Sequence, residues 1–180
     1  MGPIAYSLCQ KPVVGLVMFV TGACAFPPLF SHAPLALQQA GTVLVKQIEV
    51  PVSKPYFVGI HFEFPSAQAV GADEVVGDRH DANCELDYAD IPAPQKVGLG
   101  RPIALHVRIR DQRTGIVATD KVFNSLCLTS MSGRGFEKSR TAGRIDLAAG
   151  SYIVEIRNMA GQAGLEAVKT SVSLVAGYGK

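Results

Sequence analysis

Apolar side chains recur at every second position through much of this chain, which is the period of a half-buried β-strand. The clearest run is 56–64, where Tyr56, Val58, Ile60, Phe62 and Phe64 share one face while Phe57, Gly59, His61 and Glu63 share the other. Residues 103–109 repeat the pattern, burying Ile103, Leu105, Val107 and Ile109 and presenting Ala104, His106, Arg108 and Arg110 outward. The turn sequence Asp-Gln-Arg-Thr-Gly at 111–115 then predicts a hairpin whose return strand is 116–123. Further strands are predicted at 42–50, 144–147, 152–158 and 165–175, for seven in all. Seven strands with short turns and one apolar face each predict an all-β sandwich.

Two stretches break the alternation. Residues 66–95 form an insert in which 72–77 and 81–86 predict a short helix capping one end of the sandwich, with Ile91-Pro92-Ala93-Pro94 returning the chain to the sheet. Residues 124–143, rich in serine, glycine and basic side chains, predict a long irregular connection. Loops of about 20 residues are uncommon in compact domains and more often functional or mobile.

A different pattern opens the chain. Lys11 precedes an apolar run at 13–20, followed by Thr21-Gly22-Ala23-Cys24-Ala25, the order of a bacterial export signal. A run this short falls well below the ~20 residues that span a bilayer as a helix. The expected organisation is a signal peptide at 1–25, a proline-rich tether at 26–41 and the sandwich domain at 42–180. Two endings of the signal are open: lipidation of Cys24 in a lipobox-like sequence, or cleavage after Ala23-Cys24-Ala25 to leave Phe26 first. The expected address is the periplasm or the outer membrane, with membrane attachment only through a lipid anchor at Cys24.

Without the signal, 16 basic residues face 15 acidic ones, so no global field favours nucleic acid. Charge is nonetheless uneven: Asp73, Glu74, Asp78, Asp81, Glu85, Asp87 and Asp90 face Arg79 alone in 73–90, whereas 96–144 holds ten Lys and Arg against three acids. The expectation is two solvated segments of opposite sign lying near each other, with a bipolar partner surface as the functional alternative. Once the signal is gone or acylated, Cys84 and Cys127 remain, and two thiols in an oxidising compartment predict one disulfide. Closing a loop of that length stabilises by about 4 kcal/mol in the chain-entropy picture.

Asp81, Asn83, Glu85 and Asp87 have the alternate spacing of a calcium loop, but Leu86 and Pro92 stand where glycine and glutamate are required, which excludes an EF-hand. His61, Glu63 and His106 lie on outward faces of two strands that would bring them to one metal if those strands were neighbours. Otherwise they belong to a polar sheet face on which His106, Arg108 and Arg110 answer Glu63 and Glu155 across strands. The stretch Ser130-Met131-Ser132-Gly133-Arg134-Gly135 is a mobile loop or an anion cradle and matches no phosphate-binding fingerprint. There is no Gly-x-Ser-x-Gly elbow, no C-x-x-C pair and no implied cofactor.

The segments Val50-Pro51-Val52-Ser53-Lys54-Pro55-Tyr56-Phe57-Val58, His106-Val107-Arg108-Ile109-Arg110-Asp111 and Ala149-Gly150-Ser151-Tyr152-Ile153-Val154-Glu155-Ile156 resemble a family known as a domain of unknown function. That family is exported or lipid-anchored in Gram-negative bacteria. The resemblance, over roughly 42–175, implies an immunoglobulin-like antiparallel β-sandwich at the cell envelope and no activity. The resulting expectation is a non-catalytic binding or interaction module whose partner is an envelope protein or a small ligand, using His61, Glu63, His106, Arg108 and Arg110 together with the loops joined by Cys84 and Cys127. An envelope hydrolase or metal-binding protein on the His61 and His106 face, and a purely structural lipoprotein, are the alternatives.

Overall fold

The computed structural model describes residues 28–80, 88–132 and 136–176. Its strands in chain order are β1 (Phe30–Pro34), β2 (Val43–Val50), β3 (Lys54–Glu63), β4 (Ile103–Asp111), β5 (Val117–Ser125), β6 (Leu128–Ser132), β7 (Glu137–Leu147), β8 (Gly150–Asn158) and β9 (Lys169–Ala176). They form two antiparallel sheets, β1-β9-β3-β7-β6 and β2-β8-β4-β5. The protein is a β-sandwich.

The period-two alternation is realised where it is strongest. Tyr56, Val58, Ile60 and Phe62 of β3 meet Ile103, Leu105, Val107 and Ile109 of β4 in the interior, closed by Val154 and Ile156 of β8 and Val172 and Leu174 of β9. A sheet face this continuous is stabilised chiefly by apolar burial, at roughly 25 cal/mol per Å² removed from water.

Three sequence expectations change. The segment 26–41 is not a tether over its described length, because β1 pairs with β9 and Leu35 and Leu37 are buried in the main core. Its backbone is fixed by β9: Leu35 N–H donates to Thr170 O at 3.1 Å, and the Thr170 hydroxyl donates to Leu35 O at 2.5 Å. Prolines and an uncharged composition read as a spacer and mask the alternation of an edge strand.

Second, 124–143 is not an irregular connection. It holds the end of β5, all of β6 and the first half of β7. The apolar alternation fails there because the inward positions of β7 are Lys138 and Arg140, both almost completely buried. Lys138 Nζ lies 2.7 Å from Asp73 Oδ2, with both side chains inaccessible. Arg140 donates to the carbonyls of Val75, Val76, Arg101 and Ser125. Burial lowers the Arg140 pKa to about 10, against the opposing pull of Asp73, so the side chain stays cationic at neutral pH. The basic and acidic segments meet at these buried positions, while Glu74, Asp78 and Asp90 on one side and Arg108, Arg110 and Arg113 on the other stay exposed to solvent.

Third, 72–77 is not helical. The single α-helix among the described residues, α1 (Ala67–Gly71), lies before it, capped by Ser66, whose hydroxyl accepts from Ala69 N–H at 3.2 Å, and two short 3-10 turns follow at Tyr88–Asp90 and Ala93–Lys96. Asp73 instead folds the following turn by accepting the N–H groups of Val75, Val76 and Gly77 at 3.0–3.1 Å. Gly100 makes this docking possible, since a Cβ there would run into Arg140 and the Val75 carbonyl. Residues 81–86, with the calcium-like spacing and Cys84, lie outside the described residues, as do the signal segment and Cys24. Cys127 packs with Ile91, Leu99 and Leu126 in a small second cluster, and no described cysteine carries a free thiol.

Candidate functional site

His61 points outward from β3, the central strand of the five-stranded sheet, in register with Ser139 of β7 on one side and Ser171 of β9 on the other. Its two ring nitrogens are both engaged. Nε2 lies 2.8 Å from Ser173 Oγ, and Nδ1 lies 3.3 Å from Glu137 Oε1. Gly59 makes the first of these bonds possible: a Cβ at that position would sit 2.7 Å from Ser173 Oγ.

A third group arrives from the edge. Between Phe30 and Ala33 the register of β1 slips against β9, so that one extra residue is accommodated on β1. His32 occupies this bulge with φ +48°, a left-handed backbone unusual for a residue with a Cβ. The outcome is a ring centred 4.5 Å from that of His61, tilted by 41°. Glu137 is placed by a comparable device, as Phe136 just before it also has positive φ, and the Phe136 carbonyl accepts the Phe64 N–H at 2.9 Å.

These side chains line one end of an open groove of about 890 Å³ on the outer face of the sheet. Leu35, Phe64, Phe136 and Val168 supply its apolar surface, and Glu63 and Lys169, paired at 2.9 Å, its exposed charged rim. The His61 pKa is lowered from its ordinary value: burial is the largest cause, the neighbouring His32 adds to it, and Glu137 opposes both. Nitrogens of both histidines and a Glu137 oxygen lie within 4.8 Å of one another, a donor set suited to a borderline divalent metal.

Ser173, His61 and Glu137 also have the connectivity of a catalytic triad, with hydroxyl on Nε2 and carboxylate on Nδ1. Accessibility decides against that use. Ser173 is 2% exposed and does not line the groove, so its oxygen lies behind the imidazole and acts to orient it.

The five surface residues singled out from the sequence do not form one site. His61 and Glu63 belong to the five-stranded sheet, whereas His106, Arg108 and Arg110 lie on β4 of the other sheet and face away on the opposite side of the sandwich. Two packed sheets stand about 10 Å apart, with a filled core between them, so His61 and His106 cannot share a metal. His106 instead pairs with Asp120 at 2.5 Å, Arg108 lies 3.6 Å from the same carboxylate and opposite Glu155 in register, and Arg110 borders a depression of about 100 Å³. Of the serine- and glycine-bearing stretch, residues 133–135 lie outside the described residues, and the nearby Arg140 is buried rather than turned toward an anion.

His32, Glu137 and Ser173 were not singled out from the sequence. His32 lay in the supposed tether and Glu137 in the supposed irregular connection. The available signal was the alternation that Glu137, Ser139 and Thr141 continue outward if Lys138 and Arg140 are read as inward positions.

Fold and site together define an antiparallel β-sandwich with a histidine- and carboxylate-bearing groove on one outer sheet face. The family described as a domain of unknown function, DUF5625, matches residues 32–176, and the chain belongs to it. A protein of Sulfurospirillum deleyianum with a known crystal structure is similar in fold, at 20% identity and a TM-score of 0.64, covering 86% of this chain and 100% of that one. No curated protein matches the chain.

Proposed function

We propose that the protein is an exported, non-catalytic binding module of the bacterial cell envelope and that it takes a small ligand or a segment of an envelope protein in the groove beside His61. The observation that carries this reading is the convergence of His32, His61, Glu63, Glu137 and Lys169 on one concavity with apolar walls. Recognition sites on sandwiches commonly combine a rigid sheet with loops at one end, and here the connections after β1 and before β9 form the rim. An NMR titration with fragment and short-peptide libraries tests it. Shifts should concentrate at the amides of His61, Glu63 and Lys169; hits that gather around His106 and Arg110 instead would overturn it.

Export, an anchor at Cys24 and a Cys84–Cys127 disulfide belong to the same proposal. Their support is the order of charge, apolar run and small residues at 11–25, together with the absence of a free thiol among the described cysteines. Mass spectrometry of the mature chain is the test: acylated Cys24 at the amino terminus is expected, and unmodified Phe26 there would remove the anchor while leaving export intact. An immunoglobulin-like kinship is supported by the pairing of β3 with β7, β7 with β6 and β4 with β8, which follow the B–E, E–D and C–F neighbours of such domains. β9 and β2 fill the places beside β3 and β8.

A further inference from the structure

We propose that His32, His61 and Glu137 bind one divalent transition-metal ion of the zinc class, leaving a coordination position open to the groove. The inference rests on the groove being the binding site and names what its floor offers: a metal to which a carboxylate, imidazole or similar donor of the ligand attaches.

Four independent features converge on this reading. The donor chemistry comes first: two imidazoles and one carboxylate are the protein ligands of many open zinc sites, which keep a further position for water or substrate. Distance is the second. Atoms bound at about 2.0–2.2 Å around a tetrahedral ion stand about 3.3–3.6 Å apart. His61 Nδ1 and Glu137 Oε1 are already 3.3 Å apart, and all three donors lie within 4.8 Å. His32, exposed on an edge strand, has the freedom to close the remaining gap.

Support behind the ligands is the third feature. A ligating histidine normally has its other nitrogen fixed by a hydrogen bond. With Nδ1 turned to the ion, the Nε2–H of His61 donates to Ser173 Oγ, and Gly59 leaves the room for that hydroxyl. Backbone geometry is the fourth. A strand bulge and a left-handed backbone at a residue with a Cβ are unfavourable in themselves, and here they bring the His32 ring against His61.

Selectivity for one ion over another is not set by this donor set, which would also accept copper or nickel in the usual order of affinities. Zinc and cobalt are therefore the probes. The purified full chain, stripped with chelator, is titrated with zinc by calorimetry and with cobalt by visible absorption. One ion per chain is expected, with a Kd of about 10 μM or tighter. His32→Asn keeps a residue that tolerates the left-handed backbone, and it, His61→Asn and Glu137→Gln should each weaken binding at least about tenfold. Ser173→Ala should weaken it by roughly tenfold through loss of orientation, and His106→Ala should leave it unchanged. Circular dichroism confirms that each variant retains the sandwich. A folded wild-type chain that takes up no zinc, or uptake that survives the three ligand substitutions, overturns the proposal. If zinc fails to bind while ligand-induced shifts still map to the groove, the metal is lost and the binding site stands.

Discussion

His61 is held by a glycine, a serine and a carboxylate, and each makes a separable contribution. Gly59→Ala places a methyl group 2.7 Å from Ser173 Oγ, so the hydroxyl must rotate away and the bond to Nε2 is lost. A cost of about 1 kcal/mol in urea denaturation is expected, together with a change in the His61 ring resonances by NMR. Ionisation of the same ring gives a pH dependence whose sign follows from its depressed pKa. The unfolded chain takes up a proton near the ordinary value of 6.5 while the folded chain resists it, so stability falls as pH drops below about 6.5 and is unaffected above it. Urea midpoints at about pH 7 and about pH 5 should therefore separate more for the wild type than for His61→Asn. Equal separations would show that the ring titrates as it does in water.

At the scale of elements, β7 is held by interior charge. Its inward side carries Lys138 against Asp73 and Arg140 against four carbonyls, and these bonds fasten the turn at 73–77 and the chain at 101 to the sandwich. Lys138→Met leaves Asp73 buried without its cation, which should cost about 3–5 kcal/mol by denaturant titration. Amide exchange should rise first at Val75, Val76 and Gly77, because the carboxylate that fixes them loses its own support. The same cations explain what sequence could and could not reveal. Strands β3, β4 and β8 were legible because their inward positions are apolar, and period two is enough to find such strands. The first half of β7 was not, since a buried Lys or Arg is indistinguishable from a solvated one until its partners are known, and those lie some 65 residues away.

For the whole molecule, the decisive fact is that the two sheets present their polar faces in opposite directions. His61 with Glu63 and His106 with Arg108 were each legible as outward residues, but which sheet a strand joins is a matter of topology, and alternation carries no information about it. Two substitutions separate the faces: His106→Ala, on a surface pair, should change stability by less than about 1 kcal/mol, whereas Leu37→Ala, in the segment following β1, should cost about 3–5 kcal/mol. Calorimetric melting of both variants is the check. Removal of β1 altogether should expose the edge of β9 and promote self-association visible by sedimentation.

Because the edge strand β1 contributes one of the three proposed donors at the end of the groove, metal binding there and the docking of that strand would be thermodynamically linked. His32 stands eight residues beyond Cys24, a span of at most about 28 Å of extended chain, so acylation there would keep the opening close to the bilayer surface. Tension along that short leash would draw on β1 first. A pull strong enough to peel it from β9 would carry His32 away from His61 and loosen any ion held between them.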